Sequence, residues 1–217
     1  MSDLRFKTVI LDADSTLSAI EGIDWLAARR GATVEREVRE HTDAAMRGEI
    51  PLELVYAARL ESVQPTAEDI LALSNAYRAT VAPDAVRVLR EGRAAGIRWV
   101  IVSGGLRQAL IPLAELLGVS GADLHAVDMH FGRDGRYAGF DESSPLARQG
   151  GKPELVGRLD IARPALAVGD GQTDAELRSV VDEFWAYTGF VERPSVVARA
   201  EKSMRSFSDI WAALRQP

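Results

Sequence analysis

Cysteine is absent from the 217 residues. Disulfides, thiolate catalysis and cysteine-ligated zinc are therefore excluded. Histidine is scarce: His41, His125 and His130 are the only three, and none stands in an HExxH pair. Ordinary surface or core positions are expected for them. No apolar run reaches the roughly 18 residues that a bilayer-spanning helix needs. Met1 to Lys7 carries an acid and lacks the apolar stretch of a secretory signal. A cytoplasmic protein without a membrane partner is expected. A basic excess is missing too, with 26 Lys and Arg against 32 Asp and Glu, a net charge of -6 and a pI near 5.2. Nucleic-acid binding through phosphates requires a basic face, so no such partner is expected. A small anionic ligand would need a local cation. Hydrophobic residues make up 47% and charged residues 27%. That composition supports one sizeable core, with room for a small appended subdomain.

Three short apolar runs stand out: Phe6 to Leu11, Ile97 to Val102 and Ala165 to Val168. They are rich in Val, Ile, Leu and Ala and do not alternate. This is the pattern of strands buried on both faces. Helical patterns separate them. Pro83 to Ala95 opens with proline and is followed by Gly96, and Leu106 to Leu117 is stopped by Gly118. A further helix is expected over Ala175 to Val181. Strand–helix alternation predicts a parallel sheet, with sites at the carboxyl ends of its strands. Residues 18–80 read as mostly helical and are too long for a loop. His125 to Phe140, turning at Arg133-Asp134-Gly135, reads as a β-hairpin. The expected architecture is α/β: a Rossmann-like parallel-sheet core (1–17 and 81–217), an inserted helical cap (18–80) and a small β-hairpin.

Chemistry-bearing residues fall at the strand ends. Asp12 and Asp14 leave the first run two positions apart. A loop after the strand would turn both toward one pocket. Such a pair suits a nucleophile and an acid–base partner, or simply strand-end acids capping a turn. Asp170, in Gly169-Asp170-Gly171-Gln172-Thr173-Asp174, offers oxygen to a hard cation. Alone, the same stretch is also an ordinary turn. Ser103-Gly104-Gly105 before a helix would favour an anion, or merely cap that helix. Lys152 after Gly150-Gly151 is, alone, a surface lysine.

Their order gives them weight. Asp12-x-Asp14-x-Thr16, then Ser103, Lys152 and Gly169-Asp170-Gly171-x-x-Asp174, resembles the motif series of the haloacid dehalogenase-like hydrolase superfamily. Within it, several stretches resemble the phosphoserine phosphatases: Asp14-Ser15-Thr16 with Glu21-Gly22-Ile23-Asp24, Ala45-Met46-Arg47-Gly48 with Arg59-Leu60, and Tyr137 to Glu142 through Lys152. The resemblance spans nearly the whole chain. It departs at Leu52, where many members have an aromatic residue, at Ala126 to Met129, and in the loosely matching tail from Phe190 to Glu201.

The resemblance implies Mg²⁺-dependent hydrolysis of O-phosphoserine, the last step of serine biosynthesis. Asp12 would be the nucleophile and Asp14 the acid–base. Ser103, Gly104 and Lys152 would hold the phosphoryl group. Asp12, the Asp14 carbonyl and Asp170 would bind the metal, with Asp174 behind them. Glu21, Met46, Arg59 and Thr173 would contact the substrate, with Glu21 meeting its ammonium and Arg59 its carboxylate. A homodimer is a candidate assembly. Another small-metabolite phosphatase or phosphotransferase, or a phospho-accepting signalling module, remains an alternative.

Overall fold

The fold, a computed structural model, describes residues 4–46 and 52–216; the side chains of residues 42–46, 52 and 53 lie outside the described set. Strand β1 (Thr8–Leu11) is followed by four helices: α1 (Gly22–Arg30), α2 (Ala32–Met46), α3 (Leu52–Val63) and α4 (Ala67–Ala79). Then come α5 (Ala85–Ala94), β2 (Arg98–Leu106), α6 (Arg107–Leu117), β3 (Leu124–Val127), β4 (Met129–Phe131), β5 (Tyr137–Phe140) and α7 (Gly151–Val156). The chain ends with β6 (Ala165–Gly169), α8 (Gln172–Ala175), β7 (Glu183–Tyr187), α9 (Pro194–Val197), β8 (Lys202–Met204) and α10 (Phe207–Leu214).

Six strands form a parallel sheet in the order β3-β2-β1-β6-β7-β8. The three apolar runs are its centre. Every residue of β1 is buried, as helices on both faces of a parallel sheet require. Thr8 to Leu11 pair in register with Arg98 to Ile101 on one side and Ala165 to Val168 on the other. The chain steps outward from β1 to β2 and β3, then crosses to β6, β7 and β8. β1 and β6 therefore flank the switch point, where an open sheet leaves a crevice at its carboxyl end. Asp12 and Asp170 emerge side by side there.

Several local expectations need correction. His125 belongs to β3 of the main sheet; the hairpin is only β4 and β5, turning through Gly135 at φ +75°. Helix α5 starts at Ala85, because Asp84 takes a left-handed conformation before it. The helix expected over Ala175 to Val181 is the four-residue α8 followed by a 3₁₀ turn over Glu176–Ser179.

The hairpin also supports the helical stretch. Gly135 accepts the Ala67 N–H at 2.9 Å, satisfying one orphan donor at the start of α4. Thr66 and Asp69 form a reciprocal capping box at that end. Asp69 also pairs with the Arg30 guanidinium from α1. Burial alone would raise the Asp69 carboxyl, but Arg30 and the Thr66 N–H and hydroxyl outweigh it and hold it near 2.

Asp69→Ala is therefore expected to destabilise the protein by about 1–3 kcal/mol, read by urea unfolding, through loss of a cap and a charged hydrogen bond. Because the folded carboxyl sits below its unfolded value of about 3.9, its contribution is complete above roughly pH 4 and fades as pH falls toward 2. An acid unfolding profile of the variant that is merely shifted down uniformly, with no convergence at low pH, would contradict this assignment.

Candidate active site

The first functional loop forms because β1 stops abruptly. The Asp12 N–H continues the ladder to Val168 O at 3.1 Å. Immediately afterwards Ala13 O accepts the N–H groups of Thr16, Leu17 and Ser18 at 3.4, 3.0 and 3.0 Å, with Ser15 at φ +50°. The chain thus turns instead of remaining extended. Asp14 lies close enough to Asp12 to feel its charge.

The Asp14 carboxylate is enclosed. Its Oδ1 accepts the Tyr77 hydroxyl at 2.6 Å and the Gly22 N–H at 3.0 Å. Burial, then the charges of Glu21 and Asp12, push its pKa up to about 8 against those two hydrogen bonds. Its surroundings thus favour the protonated form.

Lys152 is buried at the start of α7. Its Nζ donates to Asp12 Oδ1 at 2.7 Å and Asp174 Oδ1 at 2.6 Å. Burial alone would lower its pKa; the two carboxylates and their hydrogen bonds drive it well above the usual lysine value instead. The sequence made this residue an ordinary surface lysine when taken alone; folding makes it an internal counter-ion. Asp174 also accepts the Gly171 N–H at 2.9 Å, which closes the turn after β6. Gly169 is required there because a Cβ would overlap the Asp174 carboxyl. Burial and Asp12 push Asp174 upward against the pull of Lys152.

Ser103 is buried, but it does not cap a helix as one reading expected. β2 continues to Leu106, and the pairing with β3 slips between Val102 and Leu106, a bulge that frees Ser103 to Gly105 from the ladder. Ser103 Oγ accepts the Gly105 N–H at 2.9 Å. Tyr56 of α3 donates to Gly104 O at 2.9 Å, tying the helical stretch to this bulge.

The remaining expected contacts are distributed around this centre. Glu21 accepts the Ser15 hydroxyl at 2.7 Å. Arg59 pairs with Asp24 at 2.6 Å, while its buried Nε has no hydrogen-bond partner among the described residues. Thr173 is half-buried in α8, next to Asp174. Met46 ends α2, and its side chain lies outside the described residues. A hollow of about 590 Å³ lined by Ala57, Glu61, Tyr137 and Phe140 shares no residue with the acidic centre.

Two residues were invisible to motif reasoning. Tyr77 reaches Asp14 across 63 positions, through helix packing rather than spacing. Arg193 pairs with the Asp170 carboxylate, donates to Asp170 O at 3.3 Å and lies 3.6 Å from Glu21 Oε1. It falls in the loosely matching tail, and its only sequence signal is a cation before Pro194.

Asp12, Asp170 and Asp174 place carboxylate oxygens within 4.8 Å of one another, all buried. Thr16 steadies Asp170 through a 3.0 Å hydrogen bond to Oδ1. Such an oxygen set, with its surplus negative charge, fits a hard divalent cation.

Known proteins resemble the chain over most of its length. The sequence model of the haloacid dehalogenase-like hydrolases matches residues 9–178. The chloroplastic phosphoserine phosphatase of Arabidopsis thaliana is 34% identical over 213 residues, covering 96% of this chain and 72% of that protein. Phosphoserine phosphatase from Bos taurus is 32% identical, with coverage of 96% and 93%. Among solved structures, a phosphoserine phosphohydrolase-like protein from Francisella tularensis superposes with a TM-score of 0.83 at 24% identity, covering 95% of this chain and 99% of that one. A substrate-bound phosphoserine phosphatase gives 0.78 at 25% identity, with coverage of 97% and 99%.

Arg193 supplies a cation of the protein's own to the carboxylate that a metal would use. Arg193→Gln is expected to bind Mg²⁺ about three- to tenfold more tightly by titration calorimetry, the scale of one partly screened ion pair. Equal or weaker binding would contradict competition for Asp170.

Proposed function

The chain belongs to the haloacid dehalogenase-like hydrolase family, and on that premise we propose that it hydrolyses O-phosphoserine to serine and phosphate, the last step of serine biosynthesis. The observation that carries this reading is the convergence of Asp12, Asp170 and Asp174 on one buried point, with Lys152 between two of them. In this reading α1–α4 form the cap, within residues 18–80, over a core of 1–17 and 81–217.

Asp12 attacks phosphorus in line. A bond forms between its carboxylate oxygen and phosphorus as the bond to the serine oxygen breaks. Asp14 gives its proton to that oxygen, which is otherwise a poor leaving group. Water then attacks the phosphoryl-aspartate. Asp14 takes the proton of the water, and Asp12 is released. Ser103 and the Gly104 backbone hold phosphoryl oxygens, and Lys152 supplies positive charge where the transition state is negative. Asp12, the Asp14 carbonyl and Asp170 would hold Mg²⁺, with Asp174 supporting them. The ion would offset repulsion between the phosphate and the acidic pocket.

Substrate choice rests on charged contacts. The unpartnered Nε of Arg59 suits the substrate carboxylate, and Glu21 suits its ammonium. Met46 and Thr173 complete the proposed contacts. One observation favours a second reading, a phosphatase of another small phosphorylated metabolite: Glu21 already has the Arg193 guanidinium 3.6 Å away.

Phosphate release from a panel of phosphorylated metabolites with Mg²⁺ separates the two readings. O-phosphoserine should give the highest kcat/KM; a clear preference for an amine-free ester would favour the second. Asp12→Asn should abolish turnover with the fold intact, and near-normal activity in that variant would rule out the covalent route. Glu21→Gln and Arg59→Ala should each lower kcat/KM for phosphoserine by about 1.5–3 kcal/mol equivalent while sparing an aryl phosphate. Equal losses on both esters would assign these residues to the fold.

A further inference from the structure

We propose that Tyr77 is a positioning residue for Asp14: its hydroxyl holds Oδ1, so that the proton is carried on Oδ2 and faces the ester to be cleaved. The inference rests on the acid role of Asp14 proposed above.

The argument begins with hydrogen-bond accounting. A protonated carboxyl has one O–H and remaining acceptor capacity. Both donors that reach Asp14 go to the same oxygen, Oδ1: Tyr77 at 2.6 Å and the Gly22 N–H at 3.0 Å. Oδ1 is thereby fixed as the acceptor, and Oδ2 is left for the proton. Among the described residues, Oδ2 receives no hydrogen bond. It points elsewhere: a Cβ built on Gly105 would stand 3.1 Å from Asp14 Oδ2 and 3.1 Å from Ser103 Oγ. The proton-bearing oxygen and the proposed phosphoryl ligand thus face one point, kept open by the missing Gly105 side chain.

A buried tyrosine needs some partner for its hydroxyl, so the bond could serve stability alone. Two features argue for more. Tyr77 is completely buried at the end of α4, while Gly22 opens α1. Any side chain at Gly22 would overlap the Tyr77 hydroxyl. The two helices are fitted to each other around a single carboxylate oxygen.

The test uses the leaving group. Serine alkoxide must receive a proton as the P–O bond breaks, whereas p-nitrophenolate departs without one. kcat/KM reports steps up to the phosphoryl-aspartate and so excludes the later water step. Tyr77→Phe is expected to lower kcat/KM for O-phosphoserine roughly tenfold, below the 10²–10⁴ of a complete acid–base loss. p-Nitrophenyl phosphate should change by less than about twofold, which also reports that the variant is folded. Gly22→Ala, which displaces the hydroxyl without removing it, should show the same selectivity. Asp14→Asn should show it more strongly, with no further loss on adding Tyr77→Phe. If Asp14→Asn is selective but Tyr77→Phe affects both esters equally, or neither, the Tyr77 inference is overturned and the acid role of Asp14 stands. Equal losses on both esters in Asp14→Asn would overturn the acid role, and the inference with it.

Discussion

Buried like charge is the constraint that organises this molecule. Asp12, Asp170 and Asp174 emerge from two adjacent parallel strands and the turn after them, buried and close enough to repel. Carboxylates so placed cost stability unless something positive stands between them. Lys152 does so for Asp12 and Asp174, and Arg193 for Asp170. The glycines around them follow from the same crowding. Gly169 yields space to Asp174, and Gly151 allows α7 to approach Pro145 O closely enough to deliver Lys152.

The same constraint separates the two carboxyls at the end of β1. Asp12 keeps a lysine partner, whereas among the described residues Asp14 has no cation of its own and accepts only from a phenol and a main-chain N–H. Burial without a cation raises Asp14 to about 8. Two aspartates two positions apart thereby stand in different surroundings, one beside a cation and the other among neutral donors. The abrupt turn at Ala13 makes this possible, since it carries Asp14 to Gly22 and Tyr77 while Asp12 stays beside Lys152; in a continued strand the two would line one face.

The legible part of the sequence was the part that burial writes most strongly. The centre strands β1, β2 and β6 are apolar on both faces and stood out. β3, with half-buried His125 and Ala126, and β8, of only three residues near the edge, carry no such run. β7 carries Phe184-Trp185-Ala186-Tyr187, in which aromatics replace the Val and Ile of the central runs, and it was not singled out as a strand. For the site, Asp12, Asp14, Ser103, Lys152, Asp170 and Asp174 were recognisable through their order along the chain. Tyr77 and Arg193 were not. Their places depend on how α4 meets α1 and how the segment before α9 folds back, and neither leaves a periodic trace. The bulge at Ser103 was likewise hidden, because the glycines that permit it also suit a helix start.

The entry to and exit from the helical stretch lie against each other. Ala19 N–H donates to Thr80 O at 3.0 Å, Ala82 N–H donates to Leu17 O at 2.8 Å, and the hydroxyls of Ser18 and Thr80 meet at 2.7 Å. Four helices thus leave and return to the sheet through one narrow doorway. Topologically the stretch is a loop with joined ends, so its length can change without moving β1 relative to β2. A different set of helices could be spliced through the same doorway, leaving the carboxyl ends of the central strands undisturbed. In the proposed function, the substrate contacts carried by these helices form a module separate from the residues that handle phosphorus. The exceptions are Tyr77 and Gly22, which reach Asp14, and Tyr56, which reaches Gly104: they travel with the helices, so any replacement module must supply those donors again.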